Sequence, residues 1–139
     1  MDAKLPKPTP AETEILNVLW DLGPCTVKQV QTRLVAERAD DPRPAGYTTI
    51  LKLMQIMAEK GLLRRIEGAA RAHVYVPVIE RDMAQRQMVR ELVDRLFGGS
   101  STQLVLQALE ERPATVEELD EIRRLIKARA QTRAEGDPA

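Results

Sequence analysis

The chain has 139 residues, which is enough for one compact domain or for a small domain with an appended helical segment. Its 21 basic and 21 acidic residues balance, and 43% hydrophobic with 30% charged residues is the composition of a soluble folded protein, which excludes wholesale disorder. The sequence contains no apolar run near the roughly 20 residues of a membrane span, no secretory signal and a single cysteine, Cys25, so we expect a cytoplasmic protein without membrane segments or internal disulfides.

Capping boxes mark the starts of two N-terminal helices. Thr9 and Glu12, with a proline between them, predict a helix over 10–22. Thr26 and Gln29 repeat the pattern and predict a second helix that ends near position 37, before a polar loop. The residues expected to face inward are Ile15, Leu16, Val18, Leu19 and Leu22 in the first helix and Val27, Val30, Leu34 and Val35 in the second.

A third helix is predicted from Tyr47 or Thr48 to Gly61, because glycine readily takes the left-handed conformation that ends many helices. At about 100° per residue, its polar and apolar side chains separate onto opposite sides. The polar stripe consists of Thr48, Lys52, Gln55 and Glu59, and the opposite side of Ile50, Leu53, Met54 and Met57. In an isolated helix such a stripe would be interpreted as a solvated face.

Two strands follow this helix. Residues 62–67 and 72–78, joined by Gly68 to Arg71, predict a basic antiparallel hairpin. In the second strand Val74, Val76 and Val78 alternate with His73, Tyr75 and Pro77, the period-two pattern of a sheet with one buried face. The order of three helices and two strands is that of a winged helix-turn-helix, whose third helix enters the major groove of DNA.

The side chains on this predicted surface suit nucleic acid. Thr48, Thr49, Lys52 and Gln55 can bond phosphates or base edges, and Arg71 at the tip of the wing can contact phosphates or enter the minor groove. Residues 43–79 carry six basic side chains against two acidic ones, which gives modest local support despite the zero net charge. We therefore expect these five residues to bind double-stranded DNA.

The rest of the chain is predicted to be helical. We divide the sequence into a winged-helix DNA-binding domain at 9–79, a helical dimerisation region at 80–131 and flexible ends at 1–8 and 132–139. Three helices of this size bury too little apolar surface alone, so a second copy of the chain is the expected partner, which would place two reading helices on a palindromic site. The expected dimerisation residues are Met88, Leu92, Leu96, Leu104, Leu109, Ile122 and Leu125. The fold class is thus mainly α with a small antiparallel β wing, a winged helix-turn-helix domain plus a C-terminal three-helix dimerisation region.

An ordered set of short motifs resembles the penicillinase-repressor family (BlaI/MecI type) from Thr9 to about Arg129. Its anchors are Glu14-Ile15-Leu16 with Leu19-Trp20, Tyr47-Thr48-Thr49-Ile50, Glu59-Lys60-Gly61-Leu62, Arg71, Tyr75, Leu104-Val105-Leu106 and Glu117-Glu118-Leu119 with Ile122. The resemblance implies a homodimeric transcriptional repressor of a dyad operator, with Thr48, Thr49 and Lys52 in the operator-contacting stretch. It also places a regulatory protease among the candidate partners.

The chain departs from the family pattern at specific positions. The family commonly has a basic residue where this chain has Ile56. Antibiotic-responsive members are cleaved at an Asn-Phe bond in the Leu-Val-Leu helix, and the aligned pair here is Gln107-Ala108. Copper-responsive members use a C-terminal cysteine cluster, and this tail has no cysteine, which excludes copper sensing of that type. The sequence does not identify the signal that releases DNA.

The sequence also bears on two other classes of function. An enzyme is the weakest, because His73 and Cys25 are far apart in sequence and there is no phosphate-binding glycine loop or His-Glu-x-x-His motif; we expect no catalytic residues, metal or cofactor. The stronger rival is a winged helix used for protein contact without a DNA target, since fold does not decide function. The polar stripe beside Arg71 favours DNA, because a protein-binding surface would more often expose apolar or aromatic anchors.

Overall fold

The computed structural model describes residues 6–37, 46–68 and 72–136. Its elements are α1 (Pro10–Leu22), α2 (Val27–Glu37), α3 (Tyr47–Lys60), β1 (Leu63–Glu67), β2 (His73–Pro77), α4 (Arg81–Leu96), α5 (Ser101–Glu111) and α6 (Val116–Gly136). Six helices with one small antiparallel sheet confirm the predicted fold class, and the element order in the first half is that of a winged helix-turn-helix. The chain forms two compact units, residues 1–89 and 90–139, so α4 begins in the first unit and ends in the second. No helix within the described residues is long and apolar enough to cross a membrane.

The predicted capping boxes are present. The Thr9 hydroxyl accepts from the Glu12 backbone N–H (3.2 Å), while the Glu12 carboxylate accepts from the Thr9 N–H (2.9 Å). Thr26 and Gln29 form the same reciprocal pair at 3.2 and 2.8 Å. Each box satisfies two N–H groups that the first helical turn leaves without partners, which explains why α1 and α2 begin where the sequence predicts.

The core of the first unit lies between the three N-terminal helices and the base of the hairpin. Its largest fully buried side chains are Ile15, Leu16, Val18, Leu19, Val30, Leu34, Met54, Met57 and Leu62. The predictions that Leu22 and Val35 face inward were wrong, because they are 49% and 41% exposed. Leu22 is the last residue of α1, where the chain turns at Gly23, and Val35 lies about 100° around α2 from the buried Leu34.

The buried face of the hairpin is not the face that carries the valines of β2. Arg65 pairs with Tyr75 and Leu63 with Pro77, and Tyr75 and Leu63 are the buried side chains of this pair of strands. The three alternating valines of β2 and its flank are instead half-buried or, at Val78, exposed. Tyr75 faces inward because its backbone also pairs with Cys25 in the α1–α2 turn, with N–H to carbonyl distances of 2.8 and 3.2 Å.

The start of α4 is fixed against α1. The indole N–H of Trp20 donates to the Ile79 carbonyl at 3.0 Å, and the Arg81 guanidinium lies 5.6 Å from the centroid of the Trp20 ring. Arg81 also donates to the Asp21 carboxylate, and this hydrogen bond lowers the pKa of Asp21. Ala84, in the first turn of α4, is buried.

The second unit contains the end of α4, α5 and α6. In a single copy of the chain no residue of α5 or α6 is buried. The large apolar side chains exposed from α4 onwards are Met83, Val89, Leu92, Leu96, Val105, Leu106, Val116, Leu119, Leu125 and Ile126. The other expected dimerisation residues, Met88, Leu104, Leu109 and Ile122, are half-buried.

The C-terminal helix is longer than the sequence predicted. We expected a flexible end from position 132, but α6 continues to Gly136. Alanine, arginine and glutamate in this segment favour helix, and the Thr132 hydroxyl donates to the Ala128 carbonyl at 3.0 Å. The outermost parts of the two expected flexible ends, 1–5 and 137–139, lie outside the described residues.

Candidate nucleic-acid interface

One side of α3 is held in the core and the other is presented outwards. Ile50, Met54 and Met57 are buried in the bundle, which fixes the rotation of the helix about its axis. The opposite side carries the predicted contact residues, all exposed: Thr48, Thr49, Lys52 and Gln55, with Glu59 in the last turn. The structure therefore places four of the five predicted DNA-binding residues on one accessible surface. We call this surface, together with the neighbouring exposed Ile56, the α3 outer face.

The first turn of α3 suits an anion. Its N-terminal cap is Gly46, which has no side chain to accept from the free N–H groups of the turn. Thr48 and Thr49 place two hydroxyl groups at this same end. Free N–H groups at a helix N-terminus, together with nearby hydroxyls, provide hydrogen-bond donors for a phosphate.

The hairpin adds two arginines that we did not select from the sequence. Arg64 and Arg65 are exposed, and neither forms an ion pair with another described residue. Two adjacent arginines directly after α3 are the sequence feature that could have identified them as contact residues. Because successive strand residues point to opposite faces, however, the sequence alone did not show that both would be accessible. The fifth predicted contact, Arg71, lies outside the described residues.

Lys60 differs from the other bases because its charge is already paired. Its ammonium donates to both carboxylate oxygens of Glu12, at 2.8 and 2.9 Å. Burial disfavours the charged form of Glu12 and raises its pKa, but the hydrogen bonds from Lys60 and from the Thr9 backbone and the charge of Lys60 outweigh burial, so the pKa is lowered overall. Lys60 counted among the six bases of the sequence patch, yet it contributes little free positive charge there.

The two residues considered for metal or redox chemistry lie in different environments. Cys25 is buried, and this burial raises the pKa of its thiol, which keeps it protonated near neutral pH. His73 is exposed at the start of β2. Among the described residues, no three His, Cys, Asp or Glu side chains are grouped so that they could hold a metal ion.

Three helices, a following hairpin and an outward polar face on the third helix define the winged helix-turn-helix class. The sequence model of the family described as Penicillinase repressor matches residues 8–128. The chain is also 31% identical over 125 residues to the "Transcriptional regulator BlaI" of Mycobacterium tuberculosis, in both strain CDC 1551 / Oshkosh and strain ATCC 25618 / H37Rv. Each alignment covers 89% of this chain and 86% of the relative. The chain therefore belongs to the penicillinase repressor family, as its motifs predicted, and is a transcriptional repressor of that family.

Proposed function

We propose that the protein represses transcription by binding a palindromic operator as a homodimer, with α3 of each copy in the major groove. The observation that carries this proposal is the α3 outer face, where Thr48, Thr49, Lys52 and Gln55 are exposed on a helix held in place by the core behind it. Hydroxyl, ammonium and amide groups of this kind bond base edges and phosphates. The relatives named as transcriptional regulators support the role in transcription.

The charge near α3 supports phosphate contact at two places. Lys52 lies on the helix, and Arg64 and Arg65 lie on the adjoining strand β1, all exposed and none in an ion pair with another described residue. Three accessible cations on neighbouring elements could contact the DNA backbone beside a groove-bound helix. The zero net charge of the whole chain does not oppose this, because screening limits each charge to about 10 Å at ordinary ionic strength.

The homodimer is inferred from the apolar surface of the second unit. Leu92, Leu96 and Leu125 are exposed in a single copy, and no side chain of α5 or α6 is fully buried. Apolar surface of this extent on a small helical unit marks an interaction surface. A second copy is the simplest partner, because a two-fold dimer matches the symmetry of a palindromic operator.

For release from DNA, we propose a regulatory protease, as the family resemblance implies. The pair Gln107 and Ala108 is exposed in the middle of α5. Because proteases bind extended segments, cleavage there would require α5 to unfold locally. Because Gln107-Ala108 stands where antibiotic-responsive members have the cleaved Asn-Phe pair, a protease acting on this chain would have to cut a different sequence.

Operator binding is tested by titrating the protein against the DNA upstream of its own gene at several salt concentrations. Specific binding should weaken steeply with salt, because displaced counterions accompany each phosphate contact. Lys52→Ala should cost about 1–3 kcal/mol of discrimination between operator and unrelated duplex. The matched control is Lys127→Ala, which removes the same charge from exposed α6 and should leave discrimination unchanged. Equal discrimination by the wild type and Lys52→Ala would contradict the groove assignment, and no specific binding at all would favour the protein-interaction module.

A further inference from the structure

An apolar side chain interrupts the polar surface of α3. Ile56 is 37% exposed, although Met54, two residues before it, and Met57, directly after it, are fully buried. It lies four residues after Lys52 and seven after Thr49, and these spacings place the three side chains on the same side of a helix. Ile56 is therefore part of the α3 outer face, in the third turn of the helix.

The charges around Ile56 make this turn unsuited to phosphate. The nearest following base, Lys60, is bound through two hydrogen bonds to the buried carboxylate of Glu12. Glu59 is exposed and carries a negative charge that a phosphate would repel. Beyond Lys52, the described part of α3 thus offers no cation without an acidic partner.

An exposed isoleucine can still recognise DNA through apolar contact. The major-groove edges of the four base pairs carry hydrogen-bonding groups and a single kind of apolar group, the C5-methyl of thymine. Ile56 is 37% exposed, and this surface is available to bury against such a methyl. Its neighbours Thr49 and Lys52 would at the same time contact adjacent base edges or phosphates.

We propose that Ile56 is a specificity-determining residue that recognises a thymine through its C5-methyl group. The inference rests on the proposed function, because it requires α3 to lie in the major groove. It adds a sequence preference that the polar contacts alone do not supply: one thymine in each half-site, read by contact with carbon rather than by a hydrogen bond.

The test uses deoxyuridine, which differs from thymidine by the absence of that methyl. A preferred duplex is first selected from random DNA with the full-length wild-type protein, and each thymine in it is then replaced by deoxyuridine in turn. At one position per half-site we expect replacement to weaken wild-type binding about fourfold, the value of one methyl group removed from water. Ile56→Ala should be insensitive to replacement at that position, and Ile56→Val should be intermediate.

Val35→Ala is the matched control, because it shortens an exposed apolar side chain of α2 outside the α3 outer face and should keep the wild-type response to deoxyuridine. Urea unfolding of each variant, followed by the fluorescence of the single tryptophan, checks that the fold is retained. If Ile56→Ala and the wild type respond alike at every thymine, or if no thymine matters to the wild type, the inference is overturned while operator binding stands. If no duplex is selected, operator binding is overturned and the inference falls with it.

Discussion

The ammonium of Lys60, the last residue of α3, is bound by both carboxylate oxygens of Glu12, in the first turn of α1, at 2.8 and 2.9 Å. Glu12 is 2% exposed, whereas the Lys60 side chain keeps 31% of its surface in water. The pair therefore joins the beginning of the first helix to the end of the third. Because the carboxylate is the more deeply buried partner, the two residues should differ in their effects on stability.

Removing Lys60 should cost more than neutralising Glu12. We expect Lys60→Met to lower the free energy of unfolding by about 2–4 kcal/mol, because it leaves a buried carboxylate without its cation. Glu12→Gln should cost about 1–2 kcal/mol, because glutamine can still bond the Thr9 N–H and the orphaned ammonium can reach water. Urea unfolding followed by tryptophan fluorescence measures both. Lys52→Met, an equal change at an exposed position of α3, is the control and should lie within about 0.5 kcal/mol of the wild type.

The same pair makes stability depend on acid pH. The folded-state pKa of Glu12 is lowered from its ordinary value of 4.5, so folding favours the carboxylate. The stabilisation from Glu12 is therefore complete above pH 4.5 and is lost as the pH falls through the lowered folded-state pKa. The difference in unfolding free energy between the wild type and Glu12→Gln should be constant near neutral pH and shrink on acidification. A difference that stays constant down to pH 3 would show that the charge of Glu12 does not contribute.

Replacing Gly61 should lower stability because of the backbone conformation at this position and not because of the volume of the new side chain. Its φ is 87° and its ψ is 11°, and a Cβ built on it would meet nothing within 4 Å. Gly61→Ala should therefore cost about 1 kcal/mol through left-handed strain alone. Gly61→Asn should cost less, since asparagine tolerates this region better. Equal midpoints in urea for the wild type and Gly61→Ala would argue against strain.

The proposed dimer can be tested with two residues of equal exposure. Leu92 in α4 and Val35 in α2 are each 41% exposed in a single copy. We expect Leu92→Glu to dissociate the dimer, because a charge buried in an apolar interface without a partner is costly, and to weaken operator binding with it. Val35→Glu, outside the expected dimerisation residues, should sediment as the wild type does. A monomeric wild type, or a Leu92→Glu variant that remains dimeric, would contradict the assignment.

Features of the fold encoded by neighbouring residues could be predicted from sequence. Thr9 with Glu12 and Thr26 with Gln29 act across three positions, so their capping boxes could be read directly. The end of α3 at Gly61 is a local signal of the same kind. The polar stripe of α3 was predicted correctly as exposed, because helical periodicity places its residues together. Their contacts with DNA remain predictions.

Features that depend on long-range pairing could not be predicted. Lys60 lies 48 residues after Glu12, and nothing local marks it as already paired. The alternation in β2 showed that one face of the strand would be buried. Which face is buried depends on the two backbone hydrogen bonds between Cys25 and Tyr75, which the sequence does not reveal. Arg64 and Arg65 were missed as candidate contacts because their accessibility depends on how the hairpin packs against the bundle.

The attachment of the hairpin through Cys25 and Tyr75 has a consequence for how such proteins diversify. The backbone bonds between Tyr75 and Cys25 join the middle of β2 to the α1–α2 turn, and the Val78 N–H donates to the Leu62 carbonyl at 2.9 Å, which closes the base of the hairpin. All of these bonds are made by the backbone, so they place few demands on which side chains follow further along the strands. The side chains in the outer part of the wing can therefore change, during evolution or in a designed library, without disturbing the backbone bonds that attach the hairpin to the bundle. Preference for a new operator could be acquired there and on the α3 outer face, while the inherited core remains as it is.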